Sequence, residues 1–412
     1  MVPKGWYEHT LDELALVERG KFSARPRNDP RYYGGHMPFV QTGDVTSSGT
    51  YLNGFSQTLN EAGVGVSKVF PKDTILITIA ANIGDTAITV FEVACPDSVV
   101  AIQPYKDVAD VYWLKKHLET RKADLDTQST QNAQKNINLQ VLKPLLILTP
   151  PLPEQKKIAQ ILSTWDKAIT TTEQLLANSQ QQKKALMQQL LTGPHPSKPR
   201  LLDKNGVRFS GEWKITTLSQ MGKVVSGGTP DTNTKEYWDG DILWLTPTDV
   251  TALKSRFVRT TTRTISEAGV KNSSATILPA GSLMVCTRAT IGALSISSGP
   301  ICTNQGFKNI IPTKAFDVNF IYYLLAYNSK ALLRKASGST FLELSKKDFE
   351  KMEFPCPLME EQQKIAAVLS AADQEISALQ QKLDALKQEK KALMQQLLTG
   401  KRRVNTAEEE MA

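Results

Sequence analysis

The chain contains an internal repeat, and this repeat limits what it can fold into. The segment Lys183–Gly193 recurs without change as Lys390–Gly400. Further upstream, Glu154-Gln155 in the first half corresponds to Glu361-Gln362 in the second. Because self-similarity of this kind marks a structural unit used more than once, the sequence predicts two similar halves, each with its own hydrophobic core.

Each half is predicted to consist of a globular unit followed by one long helix, which makes the fold class α+β. Buried apolar runs such as Thr74–Ile79 predict strands. The segments Val108–Lys122 and Val318–Lys335 predict helices, with Asp107 and Asp317 as their caps. The predicted boundaries are 1–152 for the first globular unit, 153–192 for its helix, 193–211 for a proline-rich linker, 212–357 for the second unit, 358–400 for its helix and 401–412 for a tail.

The two long helices carry apolar residues at alternating steps of four and three, which is the a/d seam of a coiled coil. The first seam consists of Ile158, Leu162, Trp165, Ile169, Thr172, Leu176, Ser179, Lys183, Leu186 and Leu190. The second consists of Ile365, Leu369, Ala372, Ile376, Leu379, Leu383, Leu386, Lys390, Leu393 and Leu397. Neither seam is stable in water, so the helices are predicted to pack on each other as an antiparallel coiled coil. That arrangement predicts globular units toward opposite ends of a rod.

Composition and charge exclude several classes of protein. No apolar stretch reaches the roughly 18 residues of a membrane span, and the first residues lack an apolar signal core. Neither a membrane protein nor a secreted one is therefore expected. The four cysteines stand far apart, which argues against a disulfide scaffold or a cysteine zinc module and favours the reducing cytoplasm. The formal net charge of +8 favours an anionic partner.

Catalytic motifs are missing from the sequence. There is no GxxxxGK[ST] phosphate loop and no Asn/Asp-Pro-Pro-Tyr/Phe run of an amino-methyltransferase. The four histidines are too far apart for a metal site, and Asp97 with Glu154 and Lys156 only loosely imitates a nuclease motif. No catalytic or metal-ligating residue is therefore predicted.

Basic, polar and aromatic residues are enriched at equivalent places in the two globular units. Arginine pairs bidentately with guanine or phosphate, and Asn and Gln pair with adenine, so these loops are predicted to contact DNA. The candidates in the first unit are Lys21, Arg25, Arg27, Arg31, Tyr32, Tyr33, Gln41, Asn82 and Lys135. Those in the second are Lys235, Tyr237, Trp238, Lys254, Arg256, Arg259, Arg263, Arg288, Lys308 and Ser339. The alternative is that these residues only make the surface soluble.

A second set of candidates flanks the helix seams. These apolar residues off the seam are Leu175, Met187, Leu191, Met394 and Leu398. Two identical surfaces related by a pseudo-two-fold axis suit two copies of one partner, so the set is predicted to bind that partner. The alternative is that it widens the intramolecular core.

Over nearly its whole length, the sequence resembles the specificity (S) subunit of type I restriction–modification systems. The most specific matches are Pro151–Ile158, its counterpart Leu358–Ile365, the twice-used Lys183–Gly193 segment, Phe209–Trp213, Arg288–Gly292 and Asn304–Gly306. The first unit departs from the last two patterns, because it has Ala80–Gly84 and Pro96–Ser98 in their place.

This resemblance implies a fold and a division of labour. Two target recognition domains each read one half of a split DNA site, and the paired helices act as a ruler and as the dock for two modification subunits. Those partners bind S-adenosylmethionine and methylate adenine, and restriction subunits carry ATP- and magnesium-dependent translocation and cleavage. The chain itself is then a non-catalytic subunit without a cofactor. Its implied partners are double-stranded DNA, two modification subunits and restriction subunits, with no membrane.

Two other functions stay open at this point. A self-contained DNA methyltransferase or nuclease with an unfamiliar motif predicts activity on DNA without partners. A coiled-coil adaptor predicts no salt-dependent DNA binding.

Overall fold

The long helices are shared between two units of the same construction. A computed structural model describes residues 2–129, 136–194, 199–337 and 342–405. The first unit consists of the described residues of Met1–Gln174 and Gln381–Ala412, and the second of those of Leu175–Gln380. Each unit therefore contains one globular domain, the beginning of the helix that follows it and the end of the other helix. The α+β class is confirmed.

The first unit is built from short strands and short helices that precede a long one. Its strands are β1 (Tyr7–Thr10), β2 (Ala15–Arg19), β3 (Tyr33–Phe39), β4 (Gln57–Leu59), β5 (Val69–Phe70), β6 (Ile75–Thr78), β7 (Thr86–Ile88), β8 (Val93–Ala94), β9 (Val99–Pro104) and β10 (Leu146–Thr149). Its helices are α1 (Leu11–Leu14), α2 (Thr42–Ser47), α3 (Glu61–Gly65), α4 (Val111–Thr120), α5 (Lys122–Ser129), α6 (Leu139–Leu142) and the first part of α7 (Leu152–Leu190). The sheets have the orders β2-β9-β6-β7, β4-β3-β8-β5 and β1-β10.

The second unit repeats this plan. Its strands are β11 (Lys214–Thr217), β12 (Gly222–Ser226), β13 (Trp238–Leu245), β14 (Phe257–Val258), β15 (Arg263–Ile265), β16 (Leu283–Cys286), β17 (Leu294–Ser297), β18 (Cys302–Thr303), β19 (Phe307–Pro312) and β20 (Glu353–Cys356). Its helices are α8 (Leu218–Met221), α9 (Pro247–Ala252), α10 (Glu267–Lys271), α11 (Val318–Tyr327), α12 (Ser329–Lys335), α13 (Lys346–Glu350) and the first part of α14 (Met359–Leu397). The sheets have the orders β12-β19-β16-β17-β14, β15-β13-β18 and β11-β20.

The central strands of both units are buried on both faces. Every residue of β6 and of β16 is buried, and continuous apolar runs suit such positions. Each unit has a parallel strand pairing at an equivalent place, between β3 and β8 and between β13 and β18, and the second unit has a further one between β14 and β17. The two larger sheets of each unit therefore share the order of their central strands, and they differ at their edges, where the first unit has β5 and the second has β14.

Helices α4 and α11 occupy equivalent places and begin at equivalent aspartates. Asp317 accepts a hydrogen bond from the Phe320 backbone N–H at 2.9 Å, as predicted. In the first unit the cap is Asp110, which accepts from the Trp113 backbone N–H at 2.9 Å. The prediction of Asp107 is wrong. Its φ of 64° is left-handed, whereas a helix N-cap is extended.

The long helices run antiparallel within each unit, as predicted. The contacts between them pair Asp166 with Lys390 and Glu173 with Lys387 in the first unit, and Ser179 with Glu375 and Lys183 with Asp373 in the second. In both units the residue number rises along one helix as it falls along the other. Every residue of the two predicted seams is buried or half-buried, so the seams are confirmed.

The core of each unit is completed by the end of the long helix that begins in the other. Leu397 and Leu398 of α14 are 1% and 3% exposed in the core of the first unit. Leu190 and Leu191 take the same place in the second unit. Burying a leucine contributes about 1.5–3 kcal/mol. The prediction that Leu191 and Leu398 bind a partner is therefore wrong, because both side chains are enclosed within their own units.

The repeated Glu-Gln pair fixes the start of each long helix against its domain. The Gln155 side-chain oxygen accepts from the Asp110 backbone N–H at 2.9 Å. Gln362 accepts from the Asp317 backbone N–H at 3.0 Å in the same way. Each glutamine amide also donates to backbone carbonyl oxygens nearby. The pair thus joins the first turn of the long helix to the first turn of α4 or α11 and satisfies polar groups there.

The glutamate of each pair is buried and paired with an arginine. Arg403 donates to both oxygens of Glu154 at 2.7 and 2.8 Å, and the Trp6 indole N–H donates at 3.0 Å. In the second unit Arg200 Nε donates to Glu361 at 3.0 Å. Each arginine follows the end of the other long helix. Because an unpaired buried carboxylate is costly, these pairs hold both chain segments that leave the helices.

Helix α4 also carries a buried histidine that links the stability of the first unit to pH. His117 is 4% exposed, and burial, with the charge of Arg121, lowers the pKa of its imidazole from 6.5 to about 4. Between these values the unfolded chain binds a proton that the folded chain does not. Stability contributed by the neutral side chain is therefore lost as the pH falls through this window.

We expect acid to destabilise the wild-type protein more than a His117→Phe variant. The difference should reach up to about 3 kcal/mol near pH 4, because a tenfold change in proton affinity corresponds to about 1.4 kcal/mol. Urea unfolding of both proteins at pH 7 and pH 4.5 measures it. Equal losses of stability in the two proteins would contradict this prediction.

Candidate nucleic-acid interface

The arginine-rich segment of the first unit lies between β2 and β3 and presents its cations to solvent. Its exposed members are Lys21, Arg25, Arg27 and Arg31. Arg27 Nη2 donates to Asp97 Oδ2 at 2.8 Å, and Arg31 Nη2 donates to Asp29 Oδ2 at 2.6 Å. Exposed pairs of this kind contribute only about 0–1 kcal/mol. A phosphate group can therefore displace either carboxylate at little cost.

The aromatic candidates of this segment are half-buried and support it. The rings of Tyr32 and Tyr33 pack against Phe22, with centroid distances of 6.1 and 5.8 Å. The Tyr33 hydroxyl donates to the carbonyl oxygen of Arg27. These contacts hold the loop that carries the arginines to the domain.

In the second unit a cation lies on two indole rings. The Arg263 guanidinium carbon is 3.6 Å from the centroid of Trp238 and 5.7 Å from that of Trp244. Trp238 is only 7% exposed and Tyr237 is half-buried. We therefore interpret Trp238 as the support of Arg263 and not as a platform for a base. Further exposed cations of this unit are Lys235, Lys254 and Arg259.

A tight turn joins β6 to β7, and an equivalent turn joins β16 to β17. Asn82 in the first turn is exposed and donates to Thr46 Oγ1 at 3.2 Å. Arg288 in the second is exposed and paired with Glu343, whose other oxygen lies 3.4 Å from the buried ammonium of Lys308. Burial acts to raise the pKa of Glu343, but the hydrogen bond from Arg288 and both positive charges outweigh it and lower that pKa.

Arg256 has a structural position that the sequence did not suggest. Its guanidinium donates to Asn319 Oδ1 at 3.2 Å, to the Tyr323 hydroxyl at 3.0 Å and to Ser370 Oγ at 2.8 Å. It also lies 3.5 Å from the carboxylate of Asp373, and its side chain is only 15% exposed. Because its donors are used within the unit, we remove Arg256 from the set of candidate DNA contacts.

The structure says less about the remaining candidates for DNA contact. Gln41 is half-buried, precedes α2 and donates to Gln57 Oε1 at 3.1 Å. Lys135 and Ser339 lie outside the described residues.

Sequence reasoning missed the residues that hold the cations. Asp97 and Glu343 pair with arginines that are remote along the chain. In the second unit Gln305 lies between β18 and β19, at the place that Asp97 has in the first, and accepts from the Thr229 hydroxyl. The repeat alignment marks this turn as a point of difference, but no local pattern reveals a partner so distant.

The partner-binding candidates divide into two groups. Met187 and Met394 are half-buried and pack against the cores of their own units. Leu175 is 49% exposed and remains available to a partner. Partner binding by these three residues stays a prediction.

The described parts of the chain contain no cluster of three or more His, Cys, Asp or Glu residues that is suited to a metal ion. Within those parts, no helix is both long enough and apolar enough to cross a membrane.

Comparisons with known proteins agree on one family. A family model for the type I restriction modification DNA specificity domain matches residues 3–178 and 210–388. A putative type I restriction enzyme MjaX specificity subunit of Methanocaldococcus jannaschii is 24% identical over 420 residues, 98% of this chain and 95% of the relative. The MjaIX specificity subunit of that organism is 40% identical over 167 residues, 40% of this chain and 39% of the relative. The crystal structure of a type I S subunit from M. genitalium superposes with a TM-score of 0.61 at 16% identity, covering 96% of each chain.

The fold and these matches define a class of DNA-recognition protein that is built from two tandem domains. The chain belongs to the type I restriction–modification specificity family. Its named relatives are specificity subunits, which are the non-catalytic DNA-recognition subunits of these systems.

The role found for Arg256 is open to a direct test. We expect Arg256→Ala to destabilise the protein by about 1–3 kcal/mol, because it leaves the partly buried Asp373 with one cation fewer. The matched control is Arg259→Ala, an exposed position in the same segment, where the change should stay within about 0.5 kcal/mol. Urea unfolding measures both. Equal stability of the two variants would show that Arg256 has no structural role.

Proposed function

We propose that this chain reads a split DNA site, with one unit for each half-site, and that it docks two modification subunits together with restriction subunits. The observation that carries the proposal is the duplication of the candidate interface. Each unit has a basic segment, which lies between β2 and β3 in the first unit and between α9 and β15 in the second. Each unit also has a tight turn between equivalent central strands, β6 and β7 in the first and β16 and β17 in the second. Two readers of the same construction suit a site of two separate parts.

The exposed arginines supply the chemistry for reading. Arg27 and Arg31 in the first unit, and Arg259 and Arg288 in the second, are exposed cations with forked donors. Such a fork pairs bidentately with guanine or with a phosphate. Weakly bound acids such as Asp29 keep these arginine side chains ordered and can be replaced by an anionic group of the DNA.

The long helices supply spacing and docking in this proposal. Each helix has 39 residues and is shared between the two units. The exposed Leu175, with the half-buried Met187 and Met394, offers apolar surface to the modification subunits. S-adenosylmethionine, ATP and magnesium then belong to the partner subunits, and adenine methylation, translocation and cleavage take place there.

Mapping of methylated adenines tests the proposal. The chain is expressed together with its modification subunit in cells that lack other adenine methylation, and the modified sites are sequenced. We expect a motif of two short defined parts that are separated by a gap of undefined bases. A single continuous motif would overturn the proposal.

One variant tests whether the units act separately. We expect Arg288→Ala to lower the preference for one base at one position of one half-site by about 1–3 kcal/mol. Base preference in the other half-site should stay unchanged. Binding titrations of the complex with singly substituted DNA measure it. The control is Glu343→Gln, which keeps the Arg288 side chain and removes its carboxylate partner, so base preference should persist. A change in both half-sites of Arg288→Ala would contradict separate reading.

The ruler function is tested by lengthening both helices. One added heptad after Leu176 and one after Gln380 preserve the seam, since each insertion keeps the a/d order. Seven residues add about 10 Å of helix, which corresponds to roughly three base pairs of DNA. We expect the mapped gap to grow by that amount with both half-sites unchanged. An unaltered gap would exclude the helices as the ruler.

A further inference from the structure

A single carboxylate in each long helix gathers donors from several elements of its unit. In the first unit Asp166 Oδ2 accepts from the Thr50 hydroxyl at 2.7 Å, from the Tyr112 hydroxyl at 2.6 Å and from the Lys116 ammonium at 2.8 Å. Its Oδ1 accepts from Lys390. The donors lie on the loop after α2, on α4 and on α14. Asp166 therefore joins the recognition domain to both long helices.

The cluster around Asp166 is ionised and largely enclosed. Lys116 is 2% exposed and the Asp166 side chain 21%. Burial acts to raise the pKa of Asp166, but the charge of Lys116 and the hydrogen bonds from Lys116, Lys390 and Tyr112 hold it well below its usual range. Burial and the hydrogen bond to Asp166 raise the pKa of the Tyr112 hydroxyl, which stays a donor. The network is thus fixed at neutral pH.

The second unit has an equivalent carboxylate, Asp373. It accepts from the Tyr323 hydroxyl at 2.6 Å and is paired with Lys183 at 2.5 Å and with Arg256 at 3.5 Å. Lys183 begins the repeated segment of α7, just as Lys390 begins the copy in α14. Burial and the hydrogen bond to Asp373 raise the pKa of Tyr323.

The two clusters have the same contact between the long helices and differ in the residues that the recognition domain contributes. In both, an aspartate of one long helix meets the first lysine of the repeated segment of the other. The second cation comes from α4 in the first unit, as Lys116, and from the segment before β14 in the second, as Arg256. The same junction is therefore built from different domain residues. A contact that served only to fill space would not need two cations and a tyrosine hydroxyl at each site, because apolar residues are as stabilising there.

The position of Asp166 along α7 gives the junction its geometric effect. Gln155 fixes the start of α7 to the domain, and Asp166 lies about 16 Å further along the helix. At Asp166 a cleft of about 1000 Å³ opens between the domain and the helices, and Thr50, Tyr112 and Asp166 are among the residues that line it. Between these two points Ile158 and Leu162 of α7 are buried in the core of the unit. Because apolar contacts have no preferred direction, the hydrogen bonds of Asp166 are the directional link at the cleft. Two fixed points on a rigid helix determine its direction relative to the domain.

We propose that Asp166 and Asp373 are positioning residues, each of which fixes the orientation of its recognition domain on the helix pair and thereby the number of base pairs between the half-sites. This inference rests on the proposed function, in which the two domains read separate half-sites. The carboxylates touch no base. They act through the domain that does, so spacing and base preference respond separately to their loss.

The test uses the chain assembled with its modification subunits and a DNA library in which the gap varies in length. In Asp166→Asn the side chain keeps its shape and loses its charge. We expect the preference for the native gap over gaps one base pair longer or shorter to fall on the order of tenfold, as for other residues coupled in one network. Base preference in both half-sites should stay as in the wild type. Asp373→Asn should behave in the same way.

The matched control is Glu173→Gln. It removes the same charge from the same helix, and its exposed partner, Lys387, lies on α14 and not on the recognition domain. We expect it to keep the native gap preference. If it loosens the gap as much as Asp166→Asn does, helix pairing in general and not the domain junction sets the spacing, and the inference fails.

A milder variant covers the case in which Asp166→Asn does not fold. Tyr112→Phe removes one hydroxyl that donates to Asp166 and retains the ring. We expect a folded complex with the same kind of change in gap preference, by a smaller factor of about threefold. If the folded variants keep the native gap preference, or lose base preference and not gap preference, the inference fails and the proposed function still stands. A wild-type complex that reads no split site overturns the proposed function as well.

Discussion

Each recognition domain depends on a helix end that the other half of the chain supplies. The core of the first unit closes around Leu397 and Leu398, and that of the second around Leu190 and Leu191. Neither globular domain buries its apolar surface with its own helix alone. Because the two cores are equivalent, the segments that fill them carry the same leucines at their buried positions. The same exchange forces the helices to run antiparallel within each unit.

Polar groups add direction to this apolar framework. The seam residues are buried or half-buried, but apolar contacts are tolerant of small rotations and shifts. Directional bonds occur at set points along α7 and α14. Glutamines fix the start of each helix, and buried glutamates hold the arginines that follow the helix ends. The carboxylates of Asp166 and Asp373 then join each domain to both helices. Polar contacts that specify one arrangement among similar apolar ones are well known in coiled coils.

The candidate DNA surface follows a different physical rule, because its charges are exposed and weakly paired. Arg27, Arg31 and Arg288 each face an acid of their own unit. Such pairs keep long side chains ordered at little cost in free energy, and an anionic ligand can replace the acid. Arg263 is ordered instead by the indole ring of Trp238. The two units thus share a fold and differ in the residues that their loops present, as the proposed reading of two different half-sites requires.

The sequence by itself determined the repeat, the two helix seams, their antiparallel pairing and the α+β class, because each of these is a periodic or duplicated pattern along the chain. The cap at Asp317 and the absence of catalytic motifs were also readable. Only the tertiary structure decided the fate of individual side chains. Arg256 looked like any other cation of a basic loop, yet it pairs with Asp373 of a helix far along the chain. Leu191 and Leu398 lie off the seam, yet they are buried. Contacts between residues so distant in sequence leave no local pattern, and burial is decided by what folds over a residue.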